Sequence, residues 1–179
     1  MEFRFAPEEE AFRTEVRAFI RDEFPKVRQG ESFTKKLAQK GWLTMSWPVE
    51  HGGQQASHMR QLVYNEEMAY HRAPGQTMGT DRVGPTVILF GTDEQKAEFL
   101  PRIVRDELNW CQGFSEPGSG SDLASLQTRA IRDGDSYVVN GQKIWTSGAQ
   151  RADFMILLAR TDPDAPKHRG ISYFLLDMK

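Results

Sequence analysis

The sequence has little that would point to a secreted, membrane or nucleic-acid-binding protein. Its 179 residues include a single cysteine, Cys111, so no internal disulfide can form, and a reducing compartment, the cytoplasm, is predicted. No apolar run approaches the roughly 20 residues that a membrane-spanning helix needs. The acidic start MEFRFAPEEE lacks the layout of a signal peptide. A net charge of −2 without a basic stripe argues against a nucleic-acid partner.

Common catalytic and metal-binding patterns are also missing. The four histidines show no spacing typical of paired metal ligands, which predicts no metal site. There is no G-x-S-x-G sequence for a serine hydrolase, and the glycines of GSGSD do not open a helix as those of a dinucleotide-binding loop do. Glu66 and Glu67 are adjacent in a helical segment, where neighbouring side chains point about 100° apart. A solvated helix face is therefore predicted for them rather than an acid–base pair.

The first hundred residues carry helical patterns. Four helix starts are marked by proline or by residues that cap a helix: Pro7, Ser32, Ser57 and Thr92. In the third of these helices the spacing predicts Met59, Leu62, Val63 and Ala69 on the inner side. The short apolar segment PTVILFG (85–91) favours a buried helix, although a strand is also compatible with it.

After Asp106 the apolar period changes from helical to two. Leu126, Thr128 and Ala130 alternate with polar residues, and Asp133–Gly134 is a strong hairpin signal. YVVNGQKIW is interpreted as strand, Asn-Gly turn and strand, and FMILLAR and ISYFLLD as two further strands.

The two patterns together predict an α+β protein. An N-terminal α-helical domain is expected at 1–110, followed at 111–179 by an antiparallel β-barrel or sandwich-like domain. Such a domain usually needs more strands than this segment provides to close its edges. The β-domain is therefore expected to be incomplete, as in a truncated chain.

Two segments of the β-domain carry the candidate chemistry. GFSEPGSGSD (113–122) offers backbone N–H groups and hydroxyls without bulky side chains, which suits an anionic or heteroaromatic ligand. KIWTSG (143–148) sets the indole of Trp145 beside two hydroxyls, which suits a flat ring with polar edges. Taken alone, the first segment is an ordinary loop and Trp145 an ordinary core residue. Their occurrence in one small domain makes a ring-binding site the hypothesis to test.

Four stretches resemble the acyl-CoA dehydrogenase family, in the family's order along the chain. They are GWLTMSWPVEHGG, GTDEQKAEFLPRIVRDE, GFSEPGSGSD followed by LAS, and KIWTSGA. The resemblance implies an N-terminal helical domain, a middle β-domain and a C-terminal helical bundle, of which this chain matches the first and most of the second. It also implies FAD as cofactor and α,β-dehydrogenation of an acyl-CoA thioester. In most members of the family the third domain carries the catalytic glutamate, so no catalytic residue is assigned in this chain.

The resemblance assigns cofactor-binding roles residue by residue. The residues expected to line FAD are Gln112, Phe114, Ser115, Gly120 and Ser121, with Ser121 also near the acyl-CoA substrate. Trp145 is expected to pack against the flavin ring, and Ser147, or Thr146 if the register slips by one, to reach the ring's N5 and O4 edge. Glu116 is given a structural role, bonding backbone within the loop.

The resemblance further implies an electron-transfer flavoprotein as partner and a homotetramer as the intact assembly. Two alternatives stay open from the sequence. One is an acyl-CoA oxidase or flavin monooxygenase on the same scaffold, and the other is a non-catalytic subunit that completes a partner's flavin site.

Overall fold

The computed structural model describes residues 4–179, so Met1–Phe3 of the acidic start lie outside the described residues. The chain divides into two compact units, Met1–Glu107 and Leu108–Lys179. Across residues 4–179, no helix is both long enough and apolar enough to cross a membrane.

Residues 4–107 of the first unit form five α-helices. They are α1 (Pro7–Glu23), α2 (Phe33–Gln39), α3 (His58–Tyr70), α4 (Gly84–Phe90) and α5 (Asp93–Val104). A π-helical turn, Gly79–Val83, runs directly into α4. The apolar segment at 85–91 is therefore helical as far as Phe90, as favoured, and not a strand. The prediction that it is buried is wrong for Leu89 and Phe90, which are 71% and 83% exposed.

The predicted helix starts are confirmed. Pro7 is the first residue of α1, where its missing N–H costs nothing. Ser32 Oγ accepts from Lys35 N at 3.3 Å, and Ser57 Oγ accepts from Arg60 N at 3.2 Å. Thr92 forms the complete capping box with Gln95 at the start of α5. These side chains satisfy backbone donors that would otherwise lack partners in the first turn.

The core of the helical unit surrounds Trp42, which is 3% exposed. Its ring meets Phe12 edge-on at a centroid distance of 5.5 Å and Phe19 at 5.1 Å. Val16 and Leu37 are fully buried in the same cluster. Burying each such side chain contributes about 1.5–3 kcal/mol relative to leaving it exposed. This cluster is what fixes α1, α2 and α3 against one another.

The inner face of α3 differs from the predicted one. Met59 and Leu62 are 46% and 44% exposed and Ala69 is also exposed, so only Val63 of the predicted set is buried. The buried residues of this helix are Val63, Tyr64, Glu67 and Met68. The apolar pattern predicted the wrong inward face because a charged residue, Glu67, is one of the residues that face inward.

Glu67 faces inward because two arginines of α1 meet it there. It is 2% exposed, and the prediction of a solvated face is wrong for it. Arg13 Nη1 donates to Glu67 Oε1 at 2.8 Å, and Arg17 Nε donates to Oε2 at 2.7 Å. Burial raises the pKa of Glu67, but the hydrogen bonds from Arg17 and Arg13 outweigh it and hold the pKa below its ordinary range. Glu66 remains on the surface, paired with Arg13.

The second unit, Leu108–Lys179, contains one five-stranded sheet. Its strands are β1 (Trp110–Gly113), β2 (Arg129–Asp133), β3 (Ser136–Asn140), β4 (Phe154–Arg160) and β5 (Ile171–Asp177). β4 is central: β1 and the first residue of β2, Arg129, pair with it, and β5 pairs along its whole length. The α+β class is confirmed.

The sheet is mixed, which corrects the predicted antiparallel arrangement. β2–β3 and β4–β5 are antiparallel, but β1 and β2 both run parallel to β4. In the register of β1 with β4, Trp110 pairs with Phe154, and their rings lie 5.1 Å apart. A parallel pair needs a long crossover, and the stretch that contains the β2–β3 hairpin supplies it. Local alternation in the sequence does not reveal such a distant partner.

The predicted hairpin at Asn140–Gly141 does not form, because Lys143–Trp145 is not a strand. The chain leaves the sheet after β3. At Gly141 the backbone packs so closely on Thr128 that an added Cβ would lie 2.3 Å from Thr128 Oγ1. Glycine at this position therefore serves a close approach and not a hairpin turn.

Candidate functional site

The glycine-rich segment is an ordered loop that follows β1. Glu116 N donates to Ser119 O at 2.7 Å, and Ser119 N returns a bond to Glu116 O at 3.1 Å, which closes a tight turn. Ser119 Oγ donates to Asp122 O at 2.9 Å and fixes the end of the loop. On the open side, a Cβ added at Gly118 or Gly120 would meet no atom within 4 Å. The loop backbone is thus exposed along one side and held along the other.

Glu116 is the centre of the held side. The residue is 7% exposed, and its carboxylate accepts from Gln127 N at 2.6 Å and from Thr128 N at 2.9 Å. Lys143 Nζ donates to the same carboxylate at 2.8 Å. Burial raises the pKa of Glu116, but these donors outweigh it and lower the pKa to about 2. The carboxylate is therefore charged at neutral pH and occupied by structural partners, in line with the structural role expected for it.

The second segment lies against the first. Ile144 N donates to Ser115 O at 2.9 Å, and Lys143 Nζ donates to Phe114 O at 3.0 Å. Lys143 is well buried, with 8% of its side chain exposed. Two motifs that are 27 residues apart along the chain, counted from Glu116 to Lys143, thus form one surface.

Trp145 projects from this surface. Its side chain is 85% exposed, so it is not a core residue. Its backbone has a φ of 59°, in the left-handed region that residues other than glycine rarely adopt. Ser147 N donates to Trp145 O at 3.0 Å, and Gly148 follows with a φ of 82°, so the chain turns sharply beneath the indole. The flat aromatic face of Trp145 is thus exposed one residue after the backbone bond from Ile144 N to Ser115 O.

The other predicted site residues differ in exposure. Gln112, Phe114 and Ser115 are half-buried, and Gly120, Ser121 and Ser147 are exposed. Within residues 4–179, Gly120 and Ser121 form no hydrogen bond with the second segment. The hydroxyl of Thr146 is enclosed and has no hydrogen-bond partner among the described residues. The geometry therefore joins Phe114–Glu116 to Lys143–Trp145, with Gly120 and Ser121 farther along the loop.

Lys143 is a residue to which sequence reasoning gave no role. It belongs to the KIWTSG segment, in which the sequence indicated only the indole and the two hydroxyls as candidate ligand-binding groups. The available signal was a lysine beside the apolar Ile144 in a segment predicted to be a strand, since a buried cation requires a partner. No metal-binding cluster of His, Cys, Asp or Glu occurs within the described part of the chain.

The chain combines a helical unit with a mixed-sheet unit, and in the sheet unit the glycine-rich loop is hydrogen-bonded to the segment that carries an exposed indole. Residues 6–107 match the acyl-CoA dehydrogenase N-terminal domain, and residues 111–179 match the acyl-CoA dehydrogenase middle domain. The chain belongs to the acyl-CoA dehydrogenase family.

Individual relatives agree with this assignment. Acyl-CoA dehydrogenase FadE26 of Mycobacterium tuberculosis (strain ATCC 25618 / H37Rv) is 44% identical over 98% of this chain and 48% of the relative. The Tcur3481-Tcur3483 steroid ACAD has a TM-score of 0.88 at 39% identity, covering 99% of this chain and 49% of that one. The ChsE4-ChsE5 complex from M. tuberculosis has a TM-score of 0.86 at 44% identity, covering 99% and 48%. The chain thus spans about half the length of these relatives.

Proposed function

We propose that this chain supplies flavin-binding residues for FAD-dependent α,β-dehydrogenation of an acyl-CoA thioester. The observation that carries the proposal is the junction of the two signature segments, in which Ile144 N donates to Ser115 O at 2.9 Å. This junction joins the segment that carries the exposed Trp145 to the glycine-rich loop. Relatives named acyl-CoA dehydrogenase at up to 48% identity support the same reaction class.

The residues present fit FAD. The absence of any atom within 4 Å of a Cβ added at Gly118 or Gly120 leaves room for a ligand against the loop backbone. The loop offers hydroxyls and N–H groups, which complement the acceptors of a flavin edge and a pyrophosphate. The indole of Trp145, 85% exposed, offers a face for a ring.

In this proposal each group has a defined task. The residues that hold the cofactor are Gln112, Phe114, Ser115, Gly120 and Ser121, with Ser121 also near the acyl-CoA. Trp145 packs against the ring. FAD held by these residues would supply the acceptor for the hydride that leaves the β carbon of the substrate when the α proton is removed. We assign the proton-removing base to no residue of this chain.

Ser147 is the hydroxyl that we assign to the flavin edge. Its side chain is exposed and therefore accessible to a ligand, whereas the Thr146 hydroxyl is enclosed within the chain. A hydrogen bond from Ser147 would strengthen as negative charge accumulates on the ring during reduction.

The setting of the reaction is also part of the proposal. We propose acyl-CoA as substrate, an electron-transfer flavoprotein as electron acceptor, a homotetrameric assembly and a cytoplasmic location. A single buried thiol, Cys111, suits a reducing compartment.

A titration of the 179-residue chain with FAD tests the cofactor assignment. Flavin fluorescence measures binding, and we expect weak binding to the wild-type chain and tighter binding to the native protein. Trp145→Ala should weaken binding by about 1–3 kcal/mol, the range for a large aromatic contact. Because the indole is 85% exposed, the free energy of unfolding should hardly change.

Tyr70→Ala is the matched control, because Tyr70 is an aromatic residue of similar exposure, 83%, at the end of α3. It should leave FAD affinity unchanged. Equal affinities of wild type and Trp145→Ala would remove the indole from the site. Failure of both the chain and the native protein to bind FAD would refute the proposal.

A second candidate is a non-catalytic subunit that contributes this surface to a partner's flavin site. This candidate is supported by the match to ChsE4-ChsE5, a complex of two differently named chains. Anaerobic addition of acyl-CoA to the FAD-loaded native protein separates the two candidates. Bleaching of the oxidised flavin band by the protein alone identifies the dehydrogenase, and bleaching only after a partner is added identifies the subunit.

A further inference from the structure

The buried contact between Lys143 and Glu116 does more than stabilise one loop, because it joins two segments of the chain. Lys143 Nζ reaches two acceptors of the glycine-rich loop, Phe114 O at 3.0 Å and Glu116 Oε1 at 2.8 Å. The side chains of the pair are 8% and 6% exposed, so the interaction is little screened by solvent. The next residue, Ile144, adds the backbone bond to Ser115 O at 2.9 Å.

Glu116 extends this contact to a third part of the chain. Its carboxylate accepts from the backbone N–H groups of Gln127 and Thr128, just before β2. The carboxylate therefore ties the loop to the start of β2, and Lys143 ties the second segment to both. Trp145 follows Lys143 by two residues, has a φ of 59°, and its carbonyl accepts from Ser147 N at 3.0 Å.

We propose that Lys143, acting with Glu116, is a positioning residue that fixes the register of Trp145 and Ser147 relative to the glycine-rich loop before a ligand binds. This inference rests on the proposed function for the identity of the ligand, but not for the positioning itself. Neither side chain is assigned contact with FAD. Their effect is transmitted through Ser115 O and the backbone at Ile144.

Exchange of the Ile144 amide hydrogen in the ligand-free 179-residue chain tests the positioning directly. Lys143→Met keeps an unbranched apolar chain and removes the donor to Phe114 O and Glu116. We expect Ile144 to exchange at least about tenfold faster, while the amides of β4 and β5 keep their relative protection. FAD affinity should fall by a similar factor.

Lys167→Met is the matched control, because Lys167 pairs with Asp122 of the same loop but is 55% exposed. It should change neither Ile144 exchange nor FAD affinity, since exposed pairs contribute about 0–1 kcal/mol. Wild-type Ile144 exchange in Lys143→Met would overturn the proposal. So would an equal loss of protection throughout Leu108–Lys179, because that result describes a purely structural role.

The double variant Lys143→Met/Glu116→Gln separates positioning from stability. Each single change leaves one buried group without its partner, whereas the double change removes both charges and should recover part of the unfolding free energy. Methionine still cannot donate to Phe114 O, so we expect Ile144 exchange to stay fast and FAD affinity to stay low. Recovery of both together with stability would refute positioning. If the wild-type chain and the native protein both fail to bind FAD, the proposed function fails, while the exchange results in the ligand-free chain still decide the positioning.

Discussion

Trp145 combines two properties that are costly for a residue of a folded loop. Its left-handed φ of 59° disfavours the backbone by about 1–2 kcal/mol, and its 85% exposed indole gains nothing from burial. Strained residues persist where the surrounding structure over-determines them. Here Lys143 and Ile144 on one side and Gly148 on the other provide that constraint. Under the proposed function, a bound flavin ring would cover the indole and offset this cost.

At the same scale, Ser147→Ala tests the proposed donor to the flavin edge. In the native protein the rate of flavin reduction by saturating acyl-CoA should fall about ten- to a thousandfold, because a donor is lost where charge develops. FAD content should change little, and stopped-flow absorbance measures both. Thr146→Ala is the control for the choice between the two hydroxyls, and its flavin should be reduced at the wild-type rate. Slow flavin reduction in Thr146→Ala, with reduction at the wild-type rate in Ser147→Ala, would move the proposed donor from Ser147 to Thr146.

At the scale of elements, helix starts could be predicted from the sequence because their signals are local. Pro7 and the capping pair Thr92 and Gln95 act within a single turn. The inward face of α3 could not, because Glu67 turns inward for Arg13 and Arg17, which lie 54 and 50 residues earlier. The parallel pairing of β1 with β4 escaped prediction for the same reason. Pairing between residues that are distant along the chain produces no periodic pattern in the sequence.

The candidate site follows the same division. The motif residues from Gln112 to Ser147 could be named from a resemblance, since the residue types themselves carry it. The partner of Lys143 could not, since it depends on how the chain leaves β3 at Gly141. A substitution at Gly141, where the chain leaves β3, therefore tests this part of the fold.

Gly141→Ala should destabilise the Leu108–Lys179 unit by about 1–3 kcal/mol, the usual cost of overpacking. The added methyl carbon would lie 2.3 Å from Thr128 Oγ1 and 2.6 Å from Thr128 Cα, which is backbone and cannot swing away. Gly118→Ala is the control, since its methyl group would meet nothing within 4 Å. Urea unfolding of both variants gives the two free energies. An unchanged midpoint for Gly141→Ala would contradict the close packing described here.

Within residues 4–179, each unit contains one buried carboxylate that is held by basic side chains. Glu67 serves the helical unit, and Glu116 serves the sheet unit. Both have pKa values below the ordinary 4.5, Glu116 at about 2. A carboxyl group with a lowered pKa contributes stability that is fully present above its unfolded pKa and is lost as the pH falls through the folded value.

Both units should therefore hold their stability above about pH 5 and lose it on acidification, Glu116 contributing about 3 kcal/mol lost between roughly pH 4.5 and 2. Glu116→Gln should flatten that loss for the amides of β4 and β5 and leave those of α1 and α3 unaffected. Glu67→Gln should do the reverse. Hydrogen exchange at pH 6, 4 and 3 would measure the slopes, and a Glu116→Gln chain with the wild-type slope in its strands would disprove the assignment.

The parallel pairing of β1 with β4 also sets an order of events during synthesis. Trp110 leaves the ribosome well before its partner Phe154, so β1 spends roughly 2–9 s without its neighbour at 5–20 residues per second. The β2–β3 hairpin needs only local contacts and can form in microseconds once its residues have emerged. Nucleation of the sheet unit is thus expected at β2–β3, with β1 docking late. Mutations in β1 should then speed unfolding more than they slow folding.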